Sequence, residues 1–165
     1  MKYKIRIIFI LIGVLIVLSC SSKQIIVPDK SEQHRLVLMM EALEGFISNT
    51  PYCALIQYTG VDVVPIPDPD PNDDDVEEKH IYYAKVLETF HGQHMQNISY
   101  IETTAKGEGA HVSAEPTIIT LCIKNNEFFW VGTGSEYPAT KEVIKAARRI
   151  SQKVKSGKQS FSFCE

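Results

Sequence analysis

The sequence predicts an α+β domain in which antiparallel strands form a curved sheet or small β-barrel between an N-terminal and a C-terminal amphipathic helix. Three observations predict it. Apolar residues recur at helical spacing over 36–47 and again over 143–154. The stretches between them are β-rich and alternate with period two. Short turns containing Gly92 or Asn125-Asn126 separate those stretches, as expected for consecutive antiparallel strands.

The first helix has a good N-cap in Ser31, followed by Leu36, Met39, Met40, Leu43, Phe46 and Ile47, with Glu32, Gln33, Arg35 and Glu44 mainly on the other side. Asn49-Thr50-Pro51 stops it near Ser48, because proline disfavours helix in the residue before it. Residues 52–64 (YCALIQYTGVDVV) read as a strand broken by Gly60. The run from Pro65 to Glu78 holds four prolines, seven acids and no basic residue, which marks an exposed acidic loop at 65–78. His80–Phe90, Ile98–Ala105, Thr117–Ile123 and Glu127–Gly132 read as four more strands, the last two joined as a hairpin by Asn125-Asn126. Thr140 caps the last helix, Glu142 sits in its first turn, and Gly157 suits its end. Val143, Ala147, Ile150 and Val154 form its apolar stripe, amid Lys141, Lys145, Arg148, Arg149, Lys153 and Lys155. Residues 159–164 (QSFSFC) alternate at Phe161 and Phe163 and read as a short final strand.

Ahead of this domain, 31–165, stands a different kind of segment. Lys2, Lys4 and Arg6 precede an apolar run from Ile7 to Leu18. That run is shorter than the roughly 20 residues a spanning helix needs, so it reads as a signal peptide over 1–19. Val17-Leu18-Ser19-Cys20 resembles the lipobox of bacterial lipoproteins. The resemblance implies thioether lipidation of Cys20, cleavage before it and acylation of the new amine, leaving 20–30 as a lipidated tether. It also implies a protein held in the bacterial envelope. Ser21 stands where an inner-membrane retention signal places Asp, which points to the outer membrane and a domain facing the periplasm.

Removing the leader takes the chain from 17 basic against 20 acidic residues to 14 against 20, so the mature part stands near −6. Such a balance argues against a nucleic-acid partner, since neutralising phosphates needs a basic surface. Of four cysteines, lipidation of Cys20 leaves Cys53, Cys122 and Cys164. In an oxidising compartment one disulfide and one leftover thiol are expected. Three pairings are open and the sequence does not choose between them; Cys53–Cys122 is taken as the working expectation.

The stretches AKVLETFHG, ISYIETTAKGE and TLCIKNNEFFWVG, about residues 80–132, resemble the netrin-like domain, the fold of the tissue inhibitors of metalloproteinases. The resemblance implies a five-stranded oligonucleotide/oligosaccharide-binding (OB-like) barrel with helices packed on it. It does not imply protease inhibition, because the free N-terminal cysteine pair of the inhibitors is missing.

No motif for catalysis stands out, and no cofactor is expected. Asp68, Asp70, Asn72, Asp73, Asp74 and Asp75 begin with alternating oxygens, as calcium loops do. Pro69 and Pro71 stiffen that run, no glycine turns it, and Glu78 is too close for the closing ligand, so a solvated charge run is the simpler reading. His91 and His94 lie three apart at a turn, but no spacing makes His80 or His111 a third zinc ligand. The expected function is a lipid-anchored, non-enzymatic module that binds an envelope protein or polymer. The alternatives are an envelope hydrolase using scattered groups such as Glu88, Glu102, His91 and His94, and a calcium- or metal-dependent binding domain.

Overall fold

A computed structural model of the chain describes residues 30–67, 76–154 and 161–164. The leader, Cys20, the tether up to Asp29, and the loop residues Asp68, Asp70, Asn72, Asp73, Asp74 and Asp75 lie outside the described residues. So does Gly157.

The elements run in the order α1 (Lys30–Asn49), β1 (Tyr52–Pro65), β2 (Glu77–His91), β3 (Asn97–Ala105), β4 (Thr117–Lys124), β5 (Glu127–Trp130), β6 (Glu136–Pro138) and α2 (Lys141–Val154), then a 3₁₀ turn at Ser162–Cys164. The sheet order is β1-β2-β3-β5-β4-β6, and β1 also pairs with β4. That extra pairing closes five strands into a barrel. All its pairings are antiparallel except β3 with β5. The result is a small OB-like barrel flanked by two helices.

The strands form where period two meets a buried interior. Tyr52, Ala54, Ile56 and Tyr58 of β1, Tyr82, Ala84 and Val86 of β2, Ile98 and Tyr100 of β3, and Ile119 and Leu121 of β4 fill the barrel as one cluster. β4 is buried on both faces from Thr117 to Cys122, so it reads as a continuous apolar run rather than an alternation. Its outer face, with Cys53, takes the helices: Leu43 and Ile47 of α1 and Val143, Ala147 and Ile150 of α2 pack there with Ile118 and Phe90. Asn125 and Asn126 both adopt positive φ (53° and 66°), as a two-residue hairpin turn between β4 and β5 demands.

The helix ends follow local chemistry. Asn49 Nδ2 donates to the Gly45 carbonyl at 2.8 Å and Thr50 Oγ1 to that of Phe46 at 2.7 Å, satisfying carbonyls that the end of α1 leaves free. Thr140 Oγ1 accepts from the Val143 N–H at 3.3 Å, the expected cap of α2. Arg148 holds α2 to β2 through two bonds to the Glu88 carboxylate, Nε to Oε1 and Nη2 to Oε2, each 2.7 Å.

Three expectations are corrected. The disulfide joins Cys122 to Cys164, with Cα atoms 5.4 Å apart, and Cys53 is a buried free thiol. Cys53 faces Thr120 across the β1–β4 ladder, which leaves Cys122 on the diagonal. Diagonal neighbours stand about 7–8 Å apart, their Cβ atoms somewhat closer, still beyond the roughly 4 Å between Cβ atoms that the bond needs. The expected final strand is instead a 3₁₀ turn where it is described, held by that disulfide, by Phe163 against Phe46 (5.1 Å between ring centres) and by Ser162 Oγ donating to Asn49 Oδ1 at 2.8 Å. Leu36, expected in the core stripe of α1, is 42% exposed, because α1 from Lys30 to Leu38 extends beyond the surface that covers its second half.

Candidate functional site

Two clefts open at one end of the barrel, and two connections shape them. The segment joining β3 to β4, residues 106–116, contains no helix and covers that end only in part, with Ala110 packed against the barrel core. Where β5 gives way to β6, one residue of β4 (Thr120, between Leu121 and Ile119) faces five (Val131 to Ser135, between Trp130 and Glu136), so the strand is interrupted by a loop. Gly132 and Gly134 adopt φ of 130° and 93° in that loop, conformations that favour glycine. β5 pairs with β3 only at Tyr100–Phe128 and Ile101–Phe129. Beyond that point β3 has no β5 partner, and two adjoining clefts of about 550 and 220 Å³ open along Glu102, Trp130 and Thr133.

Six polar side chains come together at or just inside this mouth. The inward-facing periodicity of β1, β2 and β3 carries Tyr58, His80, Tyr82, Tyr100 and Glu102 to it, and β6 adds Glu136. The Tyr58 hydroxyl donates to Glu136 Oε1 at 2.8 Å and lies 2.7 Å from the Tyr100 hydroxyl, which is 3.2 Å from the same oxygen. Tyr82 stacks on Tyr100 with ring centres 5.0 Å apart and planes 14° from parallel. His80 is fully buried, its Nε2 2.8 Å from Glu78 Oε1 and its Nδ1 3.5 Å from the Tyr82 hydroxyl. The indole N–H of Trp130 is buried with no hydrogen-bond partner among the described residues.

The electrostatics follow from burial. Desolvation, with the Glu102 carboxylate that it bonds, pushes the Tyr82 phenol up to about 12. Tyr58 and Tyr100 are pushed higher still, first by burial, then by the Glu136 charge at Tyr58 and by Tyr58 and Glu136 at Tyr100. The three phenols therefore stay protonated as donors. The His80 hydrogen bond, its main cause, lowers the Glu78 carboxyl below the usual range. Glu77, Glu102, Glu108 and Glu136 line the two clefts and make the mouth acidic.

The residues singled out by sequence are distributed differently. Glu102 lies at the mouth and His111 lines the smaller cleft, whereas Glu88, bonded to Arg148, sits near the opposite end of β2. There His91 is buried with its ring centre 6.3 Å from that of Phe161, and His94 Nδ1 is 3.5 Å from Thr89 Oγ1. Glu88, His91 and His94 therefore do not share a cleft with Glu102. Among the described residues, no group of three or more His, Cys, Asp or Glu is arranged to hold a metal ion. Tyr58, Tyr100, Trp130 and Glu136 were not singled out. The signal for Tyr100 and for its neighbours was present in the alternation: His80-x-Tyr82 and Tyr100-x-Glu102 put polar groups at positions where aliphatic residues fill a closed barrel.

Compared with known proteins, the chain matches no family model, and no curated protein matches it in sequence.

Proposed function

We propose that the chain is a lipid-anchored binding module of the cell envelope, and that its cleft-bearing barrel end takes a hydroxyl- and amine-bearing envelope glycan. The observation that carries this reading is the convergence of Tyr58, Tyr82, Tyr100, Glu102 and Glu136 beside Trp130 at the barrel end where the two clefts open. Sugar rings combine apolar faces with many hydroxyls, and the mouth offers aromatic surface beside oriented donors and acceptors. Both tyrosine bonds to Glu136 use Oε1, so Oε2 is the acceptor that an incoming hydroxyl or ammonium would meet. The acidic rim disfavours phosphate-rich polymers, as does the charge of the mature chain. OB-like barrels bind oligosaccharides as well as oligonucleotides, though a fold alone fixes no ligand. The anchor part of the proposal rests on the lipobox at Val17-Leu18-Ser19-Cys20. The netrin-like kinship is proposed with it, supported by the flanking helices on a five-stranded barrel.

Trp130, the only tryptophan in the chain, lines both clefts and provides the test. Titration of the protein with solubilised peptidoglycan fragments is expected to change its fluorescence saturably. Glu136→Gln should weaken that binding roughly 10-fold or more, the loss of one charge-assisted hydrogen bond. An emission spectrum unaltered at millimolar fragment would remove the reading. Glu102 and Glu136 at one cleft also favour a second reading, glycoside hydrolysis by paired carboxylates. New reducing ends, abolished by Glu102→Gln, would establish it over simple binding.

A further inference from the structure

We propose that the exposed apolar turn of α1, flanked by the basic side of α2, seats directly on an anionic bilayer surface as a second, non-covalent membrane contact. The inference rests on the lipid-anchor reading in one respect: Cys20 would bring the bilayer to this face.

Leu36, Val37 and Leu38 are 42%, 53% and 50% exposed, and Met39 and Met40 follow directly. Met39 and Met40 pack partly against the helical core, whereas Leu36, Val37 and Leu38, at about 100° each, leave an exposed apolar arc of roughly 200° around the helix. Packing against a single helix or a second copy buries one stripe and leaves the others wet. Immersion at the headgroup–acyl boundary covers all of them. Among the described residues no helix is long and apolar enough to cross a membrane, which suits a surface contact rather than a span.

Charge points the same way. α1 and α2 together carry seven basic and four acidic residues, net +3, or +2 once Arg148 is set against its partner Glu88, although the mature chain stands near −6. Lys145 and Arg149 border an apolar groove of about 480 Å³ floored by Met40 and Ala146, and Arg149 also lies beside Leu36 and Val37. Glu41, Glu44 and Glu142 share these rims, so the attraction comes from the helical layer as a whole rather than from a single site. Neither cleft of the barrel mouth is lined by a residue of α1 or α2, so docking through this layer leaves the mouth accessible.

Reach is sufficient. The ten residues from Cys20 to Lys30 span at most about 36 Å when extended, and Leu36 lies roughly 9 Å further along the helix.

The test uses the full chain carrying Val37→Cys, spin-labelled and reconstituted in phosphatidylethanolamine–phosphatidylglycerol vesicles. Cys53 is buried and Cys122 and Cys164 are bonded, so the label goes to position 37. Collision with oxygen, which partitions into lipid, is expected to exceed collision with an aqueous nickel chelate several-fold over a control label at Glu108→Cys. Adding Lys145→Glu and Arg149→Glu should reduce that excess. Equal aqueous access at positions 37 and 108 would overturn the proposal. A short label–label distance that persists in detergent micelles would assign the face to a second copy, which also overturns it. Intact mass on the same sample separates the two failures. Lipid on Cys20 with an aqueous label removes the docking alone, whereas a lipid-free Cys20, seen by intact mass as a second label, removes the anchor alone when Cys20→Ser/Val37→Cys still carries a lipid-exposed label.

Discussion

Removing the Cys122–Cys164 bond by the double substitution Cys122→Ala/Cys164→Ala should destabilise the fold strongly, while Cys53→Ala should not. The bonded residues are 42 apart in sequence. In the chain-entropy treatment, a loop of that length restricts the unfolded chain by about 4 kcal/mol. That value is an upper bound, since the exposed turn at Ser162–Cys164 can detach before the barrel opens. Cys53→Ala removes one buried sulfur from the layer beneath the helices, a loss of about 1 kcal/mol. The double variant is required because a single one leaves Cys122 or Cys164 free to exchange. Wild-type Cys53 does not exchange, since burial pushes its thiol up and only a thiolate attacks a disulfide. Urea unfolding followed by circular dichroism reads both effects. With a slope of about 1.5 kcal/mol per molar, the double variant should unfold roughly 2 M earlier. If Cys53→Ala took the larger loss and the double variant lost under about 1 kcal/mol, the ladder argument for this pairing would be wrong.

Three further outcomes are expected. Tyr82 has its folded value raised from 10.0 to about 12, so the stability tied to it is complete below pH 10 and is lost as pH rises towards 12; Tyr58 and Tyr100 extend that window upward. Phenolate absorbance should show these three tyrosines ionising with the loss of circular dichroism, not before it. Gly92→Ala should lower stability by about 2 kcal/mol or more, since φ is +92° and a Cβ would stand 2.7 Å from the Pro51 carbonyl oxygen. Gly107→Ala, with φ +87° and nothing nearby, carries the backbone strain alone, about 1 kcal/mol, and thermal melts of the pair should separate the two. Glu88 is held below its ordinary 4.5 chiefly by the Arg148 hydrogen bond, so its contribution is present above that pH and lost as pH falls below it. Melting temperatures of Glu88→Gln should therefore fall less steeply on acidification than those of the parent; equal slopes would count against the pair.

The local features of the fold were readable because they depend on neighbours in sequence. The stripe Val143, Ala147, Ile150, the alternation through Tyr82, Ala84 and Val86, and the Asn125-Asn126 turn each announce an element. Closure of the barrel was named only as an option, because the β1–β4 ladder joins Tyr52 to Leu121 with no local mark of it. β6 was missed since three residues carry no period. The Phe161-Phe163 alternation suggested a strand, but a disulfide and a stack on Phe46 impose a turn instead. At the candidate site, Glu102 was noticed and misgrouped. Tyr100 lies two residues away on the same strand, but Tyr58 and Glu136 come from β1 and β6, and only the folded register brings them together.

The absence of a helix between β3 and β4 has a consequence for how the protein can change. Added side chains at Gly107 and Gly109 would meet nothing within 4 Å, and Glu108 and His111 edge the clefts without entering the core. Mutations at Glu108 and His111 that alter the charge of the entrance therefore draw little on the packing that keeps the domain folded, whereas Gly107 and Gly109, at φ of 87° and 75°, are held by backbone conformation. Lineages carrying this scaffold could diversify what they recognise while the helix-covered side stays constant, much as a tool keeps its handle and exchanges its tip.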